Sequence, residues 1–303
     1  MLEAHHTTHI EGTQLPLEQS RAVWNGQSLN DANADDVREL LNFRDAFQLV
    51  SEYLSSGLPI TETLIRSIHQ KLVEGVRGGE GQPGAWRRIQ NYVVSGKTGK
   101  PVCTPPPPEA VPGLMGELVD WLRASSDIHP VLIAAIPQFE GVHIHPFVDG
   151  NGRTSRLLST LCLYRSGYDF KRLFTISEFY DRDRAAFYRA IQSVREQGMD
   201  LTVWLEFFTH GLAKQLEETI DRGRRAIKTD LLRIEHHLNP RQIAAITYLQ
   251  ENASLEIEQL EMLCSEVNRR TLQRDLRGLI EADIIHSRGE ARATRYSLQP
   301  KYL

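Results

Sequence analysis

Residues 145–156, His-Pro-Phe-Val-Asp-Gly-Asn-Gly-Arg-Thr-Ser-Arg, constrain this chain more than any other stretch. The apolar run that follows, Leu157 to Tyr164, reads as a buried helix, so the local structure is a loop feeding a helix that starts near Asn151 or Gly152. A helix start offers unpaired N–H groups and the positive end of the helix dipole, and both suit an anion. Gly150 and Gly152 let the backbone come close to a ligand. Arg153 and Arg156, one turn apart, can lie on one face and grip phosphate oxygens with forked hydrogen bonds. Asp149 suits a hard cation such as Mg²⁺, which travels with phosphates. His145 has the intrinsic pKa of a general base near neutrality. The residue types together describe a polyphosphate cradle with a metal carboxylate and a base at its rim.

The stretch is similar to the signature of Fic-domain proteins, His-x-Phe-x-(Asp/Glu)-Gly-Asn-Gly-Arg-x-x-Arg, and every fixed position is matched. A second resemblance lies near the N-terminus. Thr7-Thr8-His9-Ile10-Glu11-Gly12 fits the Fic inhibitory motif (Ser/Thr)-x-x-x-Glu-(Gly/Asn). Without that resemblance it is a short helix ended by a glycine, with a carboxylate in the last turn, where the dipole favours a cation. The family resemblance implies that Glu11 pairs with Arg156 and obstructs the γ-phosphate of the nucleotide. His5, His6 and His9 have no supporting carboxylate or cysteine spacing, and no metal site is expected from them.

The remaining chain reads as mainly α. Asn33 to Asp36 offer caps for a helix to about Ser56, and Thr61 to Val73 form a second. Residues 13–36 are otherwise polar and turn-rich. Ile89–Val94 and Lys100–Thr104 read as a β-hairpin around a glycine-containing tip. The Fic resemblance makes this hairpin the flap that registers a target segment by backbone pairing, with Asn91, Tyr92, Val93 and Val94 as its contact residues. Gly84, Trp86 and Arg87 just before it also look familial. Helices from Glu109 to Ser125 and from about Pro130 to Val142, with Pro137 as a kink, lead into the signature. Glu140 and His143 are expected to orient neighbours. Beyond the signature, Tyr188, and less so Phe187 and Tyr180, are candidates for nucleotide contact.

Residues 201–211 read as an aromatic-bearing helix and 214–235 as a charged, long solvated helix or connector. Residues 239–303 then give three short helices and two strands, an order that resembles a winged helix. The domain reading is an N-terminal segment with the inhibitory helix (1–30), a Fic-type helical domain with a β-hairpin flap (31–213), a helical connector (214–238) and a small α+β winged-helix domain (239–303). Seven arginines oppose four acids over 269–295, so DNA is an alternative partner there. Its second helix is acidic, and protein contact or dimerisation is the preferred role.

The 303 residues carry a formal charge of −4 and 24% charged side chains, which gives no global attraction to nucleic acid or acidic membranes. Three scattered cysteines, the lack of a spanning apolar run and a polar N-terminus point to a cytoplasmic protein. The chain begins almost at the inhibitory motif, so the expectation is a shortened member or a piece of a longer one. Composition leaves a homo-oligomer open.

The resemblance implies a protein adenylyltransferase that moves AMP from ATP, with Mg²⁺, to a Ser, Thr or Tyr hydroxyl of a target protein. In it His145 would be the base, Asp149 the metal ligand, and Gly150, Asn151, Gly152, Arg153 and Arg156 the phosphate site. Related alternatives are AMP removal, transfer of another group, and a DNA-binding regulator with a nucleotide-sensing site. A dormant scaffold also stays open. The phosphate-transferring Doc type carries Lys where Gly152 stands, which favours AMP.

Overall fold

The computed structural model describes all residues except 30, 77–81, 95–100, 126, 169–174, 290–293 and 303. They fall into two compact units, Met1–Leu216 and Glu217–Leu303.

The first unit is helical and is built around one central helix. In chain order it has α1 (Leu2–Ile10), α2 (Leu17–Trp24), α3 (Ala34–Ser56), α4 (Glu62–Val73), the strands β1 (Val93–Val94) and β2 (Pro101–Cys103), α5 (Val111–Ala124), α6 (Pro130–Ile144), α7 (Asn151–Arg165), α8 (Ile176–Arg182) and α9 (Arg184–Glu196). The first part of α10 (Thr202–Glu235) completes it. Asn33 caps α3 by accepting from the Asp35 and Asp36 amides, and Gly57 ends it in a left-handed turn. Thr61 caps α4 through the Leu64 amide. Every residue of α7 except Gly152 and Arg165 is buried, as expected of a helix with neighbours on all sides. It packs chiefly on α6, with α4, α3 and α1 around it.

Sequence and structure differ in several places. The turn-rich stretch 13–36 contains α2. A 3₁₀ turn, Pro108–Ala110, precedes α5. The hairpin strands are shorter than expected, so Asn91 and Tyr92 lie before β1. The hairpin tip lies outside the described residues. Residues 201–211 and the charged connector are one continuous helix, α10.

An aromatic cluster of Tyr180, Phe187, Trp204, Phe207 and Phe208 closes the α8–α9–α10 side. Trp204 is fully buried and donates its indole N–H to the Ala135 carbonyl at 2.9 Å. Trp204→Ala is expected to lower unfolding stability by about 3–5 kcal/mol, read by urea denaturation. Phe187 and Tyr180 are buried core residues of this cluster.

The second unit contains the rest of α10, then α11 (Pro240–Glu251), α12 (Ile257–Leu263), α13 (Arg269–Glu281), and the antiparallel hairpin β3 (Ile285–Arg288) with β4 (Arg295–Leu298). The register runs from Ile285 opposite Leu298 to Arg288 opposite Arg295, and Leu255 adds a bridge to Tyr296. Asn239 and Gln242 form a capping box at α11, with Pro240 in the first turn. The core holds Leu232, Ile246, Leu249, Leu260, Leu272, Leu276, Leu279 and Ile284. Buried Asp275 is tied to Arg241 and Asn239. Among the described residues no helix is long and apolar enough to cross a membrane.

Candidate active site

The loop between α6 and α7 is fixed from several directions. His145 ends α6 in a left-handed conformation, φ 54° and ψ 56°, rare for a residue with a side chain. Arg87 stabilises that turn. Its Nε donates to the His145 carbonyl at 2.8 Å, its guanidinium also reaches the Ile89 and Pro106 carbonyls, and its amide donates to Pro146 O at 2.8 Å. Phe147 is fully buried. Its amide donates to Asn151 Oδ1 at 2.8 Å, and Asn151 Nδ2 returns a bond to its carbonyl at 2.9 Å. The Asn151 side chain therefore closes the loop, and its backbone amide lies in the first turn of α7. Asn91 Nδ2 also binds the Phe147 and Val148 carbonyls, at 2.8 and 3.2 Å. Asn91 thus ties the base of the flap to the loop.

His145 Nδ1 lies 3.4 Å from the Val142 carbonyl, a contact that favours the proton on Nδ1 and leaves Nε2 with its lone pair. Burial lowers its pKa, partly offset by the Val142 bond, so the neutral imidazole needed for a base is favoured near pH 7. Glu140 and His143 sit on α6 just upstream, and burial pushes the Glu140 carboxyl up.

The start of α7 faces the carboxylate of Glu11. Gly150 caps the helix at φ 75°. Gly152 exposes its first turn, and a Cβ there would collide with Glu11 Oε1. Glu11 follows the last residue of α1, and Arg156 Nη2 donates to its Oε1 at 2.6 Å. Arg156 Nε binds Thr7 Oγ1 at 2.7 Å and Nη2 binds the Thr7 carbonyl at 3.0 Å, so both fixed ends of the Thr7–Glu11 motif meet one guanidinium. Arg156 is 2% exposed and the Glu11 side chain 30%. Burial opposes ionisation of Glu11, but Arg156 and then Arg153 outweigh it and hold the carboxyl below its ordinary range.

Arg153 is also engaged. Its Nη1 lies 3.2 Å from Glu39 Oε2 of α3, and its Nη2 lies 3.5 Å from Asp149 Oδ2. Glu39 was not flagged by any sequence pattern. Buried Arg153 Nε has no hydrogen-bond partner among the described residues, so a donor remains for an anion. The Asp149 side chain is 48% exposed at the rim. One accessible carboxylate beside a phosphate site matches the way Mg²⁺ is usually held. Tyr188 stands half-exposed at the edge, within electrostatic range of Glu11 and Arg156. Tyr92 and Val94 are exposed on the flap.

Two further partners carry no motif. His69 of α4 stacks on Phe147 with ring centroids 3.6 Å apart, and burial lowers its pKa to about 4. Asp181 of α8 accepts from His6 and His9 of α1 at 2.9 and 2.8 Å and from Arg184 at 2.8 Å. Glu3 of α1 accepts from Thr175 and Ser177 at the start of α8. His6 and His9 serve this packing, whereas His5 Nδ1 lies 2.9 Å from Ser20 Oγ of α2. Among the described residues no group of three or more His, Cys, Asp or Glu could hold a metal.

Residues 59–163 match the Fic/DOC family model. Proteins named protein adenylyltransferase Fic from Drosophila willistoni and Drosophila virilis are 34% and 35% identical over 215 residues, 66% of this chain. The chain spans 41% and 42% of their lengths. The crystal structure of a Fic family protein from Desulfovibrio desulfuricans G20 superposes with a TM-score of 0.64 at 25% identity, covering 98% of this chain and 85% of that one. Fic-1 from C. elegans gives 0.61 at 27% identity, covering 74% and 63%. Glu11 and Tyr188 lie outside the matched 59–163, whereas His145 to Arg156 and the flap lie within it. With the signature loop at the mouth of α7 and the family match spanning it, this chain is a Fic-domain protein, its Fic domain lying at 59–163.

Proposed function

We propose that this chain is a protein adenylyltransferase that transfers AMP from ATP to a target hydroxyl and is restrained by Glu11. The observation that carries the reading is the pairing of a base with an anion site. His145 stands at the end of α6 with Nδ1 toward the Val142 carbonyl, and α7, which carries Arg153 and Arg156, begins six residues later. The name of the Drosophila relatives supports AMP as the transferred group.

His145 Nε2 would take the proton of a Ser, Thr or Tyr hydroxyl as its oxygen attacks the α-phosphorus in line. The new O–P bond forms as the bond to the β-phosphate breaks, and pyrophosphate leaves. The α7 amides of Gly150 to Gly152, with Arg153 and Arg156, would bind the phosphate chain and the charge that develops on it. Asp149 would hold Mg²⁺, which supplies Lewis-acid charge neutralisation on the phosphates. Tyr188 would border the nucleoside, and Asn91 to Val94 would present the target backbone.

Incubation of the protein with ATP and Mg²⁺, followed by mass spectrometry, should show a gain of one AMP on the protein itself or on an added target. A gain of phosphate or of another nucleotide would sink the AMP assignment. The ionised, part-exposed Glu11 carboxylate also favours a second reading, in which it places a water for AMP removal. Release of AMP from a pre-modified target reads that directly.

For residues 239–303 we favour a protein-contact role over DNA. On the would-be recognition surface, Arg269 is paired with Glu258 and Glu261, and Arg295 with Glu256, so part of the basic charge is neutralised internally. Three cysteines that form no disulfide support a cytoplasmic setting.

A further inference from the structure

We infer that His69 is a positioning residue for the phosphate site, acting through the backbone carbonyl of Asp149. The inference rests on the transferase reading above. The imidazole uses both nitrogens on backbone. Nδ1 accepts from the Gly84 amide at 2.9 Å, and Nε2 lies 3.0 Å from the Asp149 carbonyl. An acceptor on one side and a carbonyl on the other leave one arrangement for a neutral ring, with the proton on Nε2 and directed at Asp149. The same ring lies parallel to Phe147, interplanar angle 4°, and forms the floor under Gly150. A Cβ at Gly150 would meet Val73 Cγ1 at 2.7 Å and His69 Cδ2 at 3.3 Å.

One side chain therefore joins three separate pieces of chain. These are α4, the Gly84–Arg87 segment that leads to the flap, and the loop that carries Asp149. His69 is 1% exposed and cannot itself touch a substrate. What it can do is fix the peptide after Asp149. That peptide sets the direction of the Asp149 carboxylate and the left-handed turn at Gly150 from which α7 begins. Displacement of a catalytic arrangement by about 1 Å costs on the order of 10²-fold in rate. A packing-only histidine would be replaceable by any residue that restores volume, whereas a positioning histidine requires a donor at the Nε2 place.

Two conservative variants separate these roles. The Asn amide overlays imidazole Nδ1 and keeps the Gly84 bond alone. The Gln amide overlays Nε2 and keeps the Asp149 bond alone. Both lose the ring stack, so the stack cancels in the comparison. In a Glu11→Gly background, His69→Gln should retain AMP transfer within about threefold of its parent, and His69→Asn should lose on the order of 10- to 100-fold in kcat/KM for Mg²⁺–ATP. Thermal melts of the two variants should fall together.

Calorimetry supplies a readout independent of turnover. Mg²⁺ should strengthen ATP binding by the parent and by His69→Gln, and much less by His69→Asn, while Mg²⁺-free ATP binds all three alike. Equal losses in both variants, tracking their melting temperatures, overturn the inference, as does full activity of His69→Asn. A Glu11→Gly parent that binds Mg²⁺–ATP without transferring AMP refutes the transferase reading, and the calorimetric comparison still tests His69.

Discussion

Glu11→Gly should raise AMP transfer by on the order of 30-fold, measured as automodification or target labelling with ATP and Mg²⁺. Breaking a fully buried ion pair costs about 3–5 kcal/mol. Glu11 keeps 30% of its side chain exposed, so solvent screening reduces the value to roughly 2 kcal/mol. Applied to the balance between obstructed and competent sites, that free energy is about 30-fold in population. The change also vacates the space above Gly152 that a phosphate needs. Arg156 keeps its bonds to Thr7, so the guanidinium remains oriented. Adding His145→Ala to Glu11→Gly should return labelling to background, since a general base contributes about 10²- to 10⁴-fold. An unchanged rate in the single variant would remove Glu11 from the inhibitory role. Persistent labelling in the double variant would remove His145 from the chemistry.

Asp181→Ala should raise transfer by about tenfold with Glu11 still present. Asp181 touches no residue of the signature, but it accepts hydrogen bonds from His6, His9 and Arg184. Loss of charged hydrogen bonds of this kind costs about 1.5–3 kcal/mol, and α1 carries Glu11. Burial works against the Asp181 charge. The bonds from His6, His9 and Arg184 outweigh it and hold the carboxyl below the usual carboxylate range. A depressed carboxyl contributes stability above its unfolded pKa of about 3.9 and loses it only as pH falls further, so the contact is intact at neutral pH. Hydrogen exchange over α1 should accelerate in Asp181→Ala. The double variant with Glu11→Gly should match Glu11→Gly alone, because both act on the same helix. A fully multiplicative gain would show that Asp181 acts elsewhere.

The legible parts of the site were those written in consecutive residues. The signature contains its own loop glycines, helix start, base and arginines, so its local geometry follows from spacing. The Thr7–Glu11 motif was legible because its partner Arg156 has a family precedent. Glu39, His69 and Asp181 were not legible. Each acts through a partner far along the chain, and only packing brings α3, α4 and α8 to those partners. No periodicity distinguishes such a side chain from an ordinary core or surface residue. The bond from the Asn151 side chain to Phe147, which closes the loop, was likewise not legible.

The fold shows the same division. Helices with strong caps and stripes, α3, α4 and α11 to α13, follow the pattern of the sequence. The break expected near Gly211 does not occur. Glycine costs a helix about 1 kcal/mol relative to alanine, but Phe179 packs so closely on Gly211 that any Cβ would collide with its ring. Packing selects glycine there, and the helix continues through it. The short α2 was missed because only Ser20 and Val23 of its eight residues are buried, too few to set a period.

The attachment of α1 at Glu3, at His6 with His9, and at Glu11 makes the proposed inhibitor multivalent and covalently tethered. A tethered segment meets its site at an effective concentration set by its linkage to the body, about millimolar for short flexible links. Dilution therefore leaves the restraint unchanged, and a competitor that displaces one contact faces rapid recapture through the other two. Nucleotide alone competes only at the Glu11 end. On the proposed reading, efficient release calls for an event that frees the whole helix at once, which would give the switch a threshold rather than a graded response to ATP.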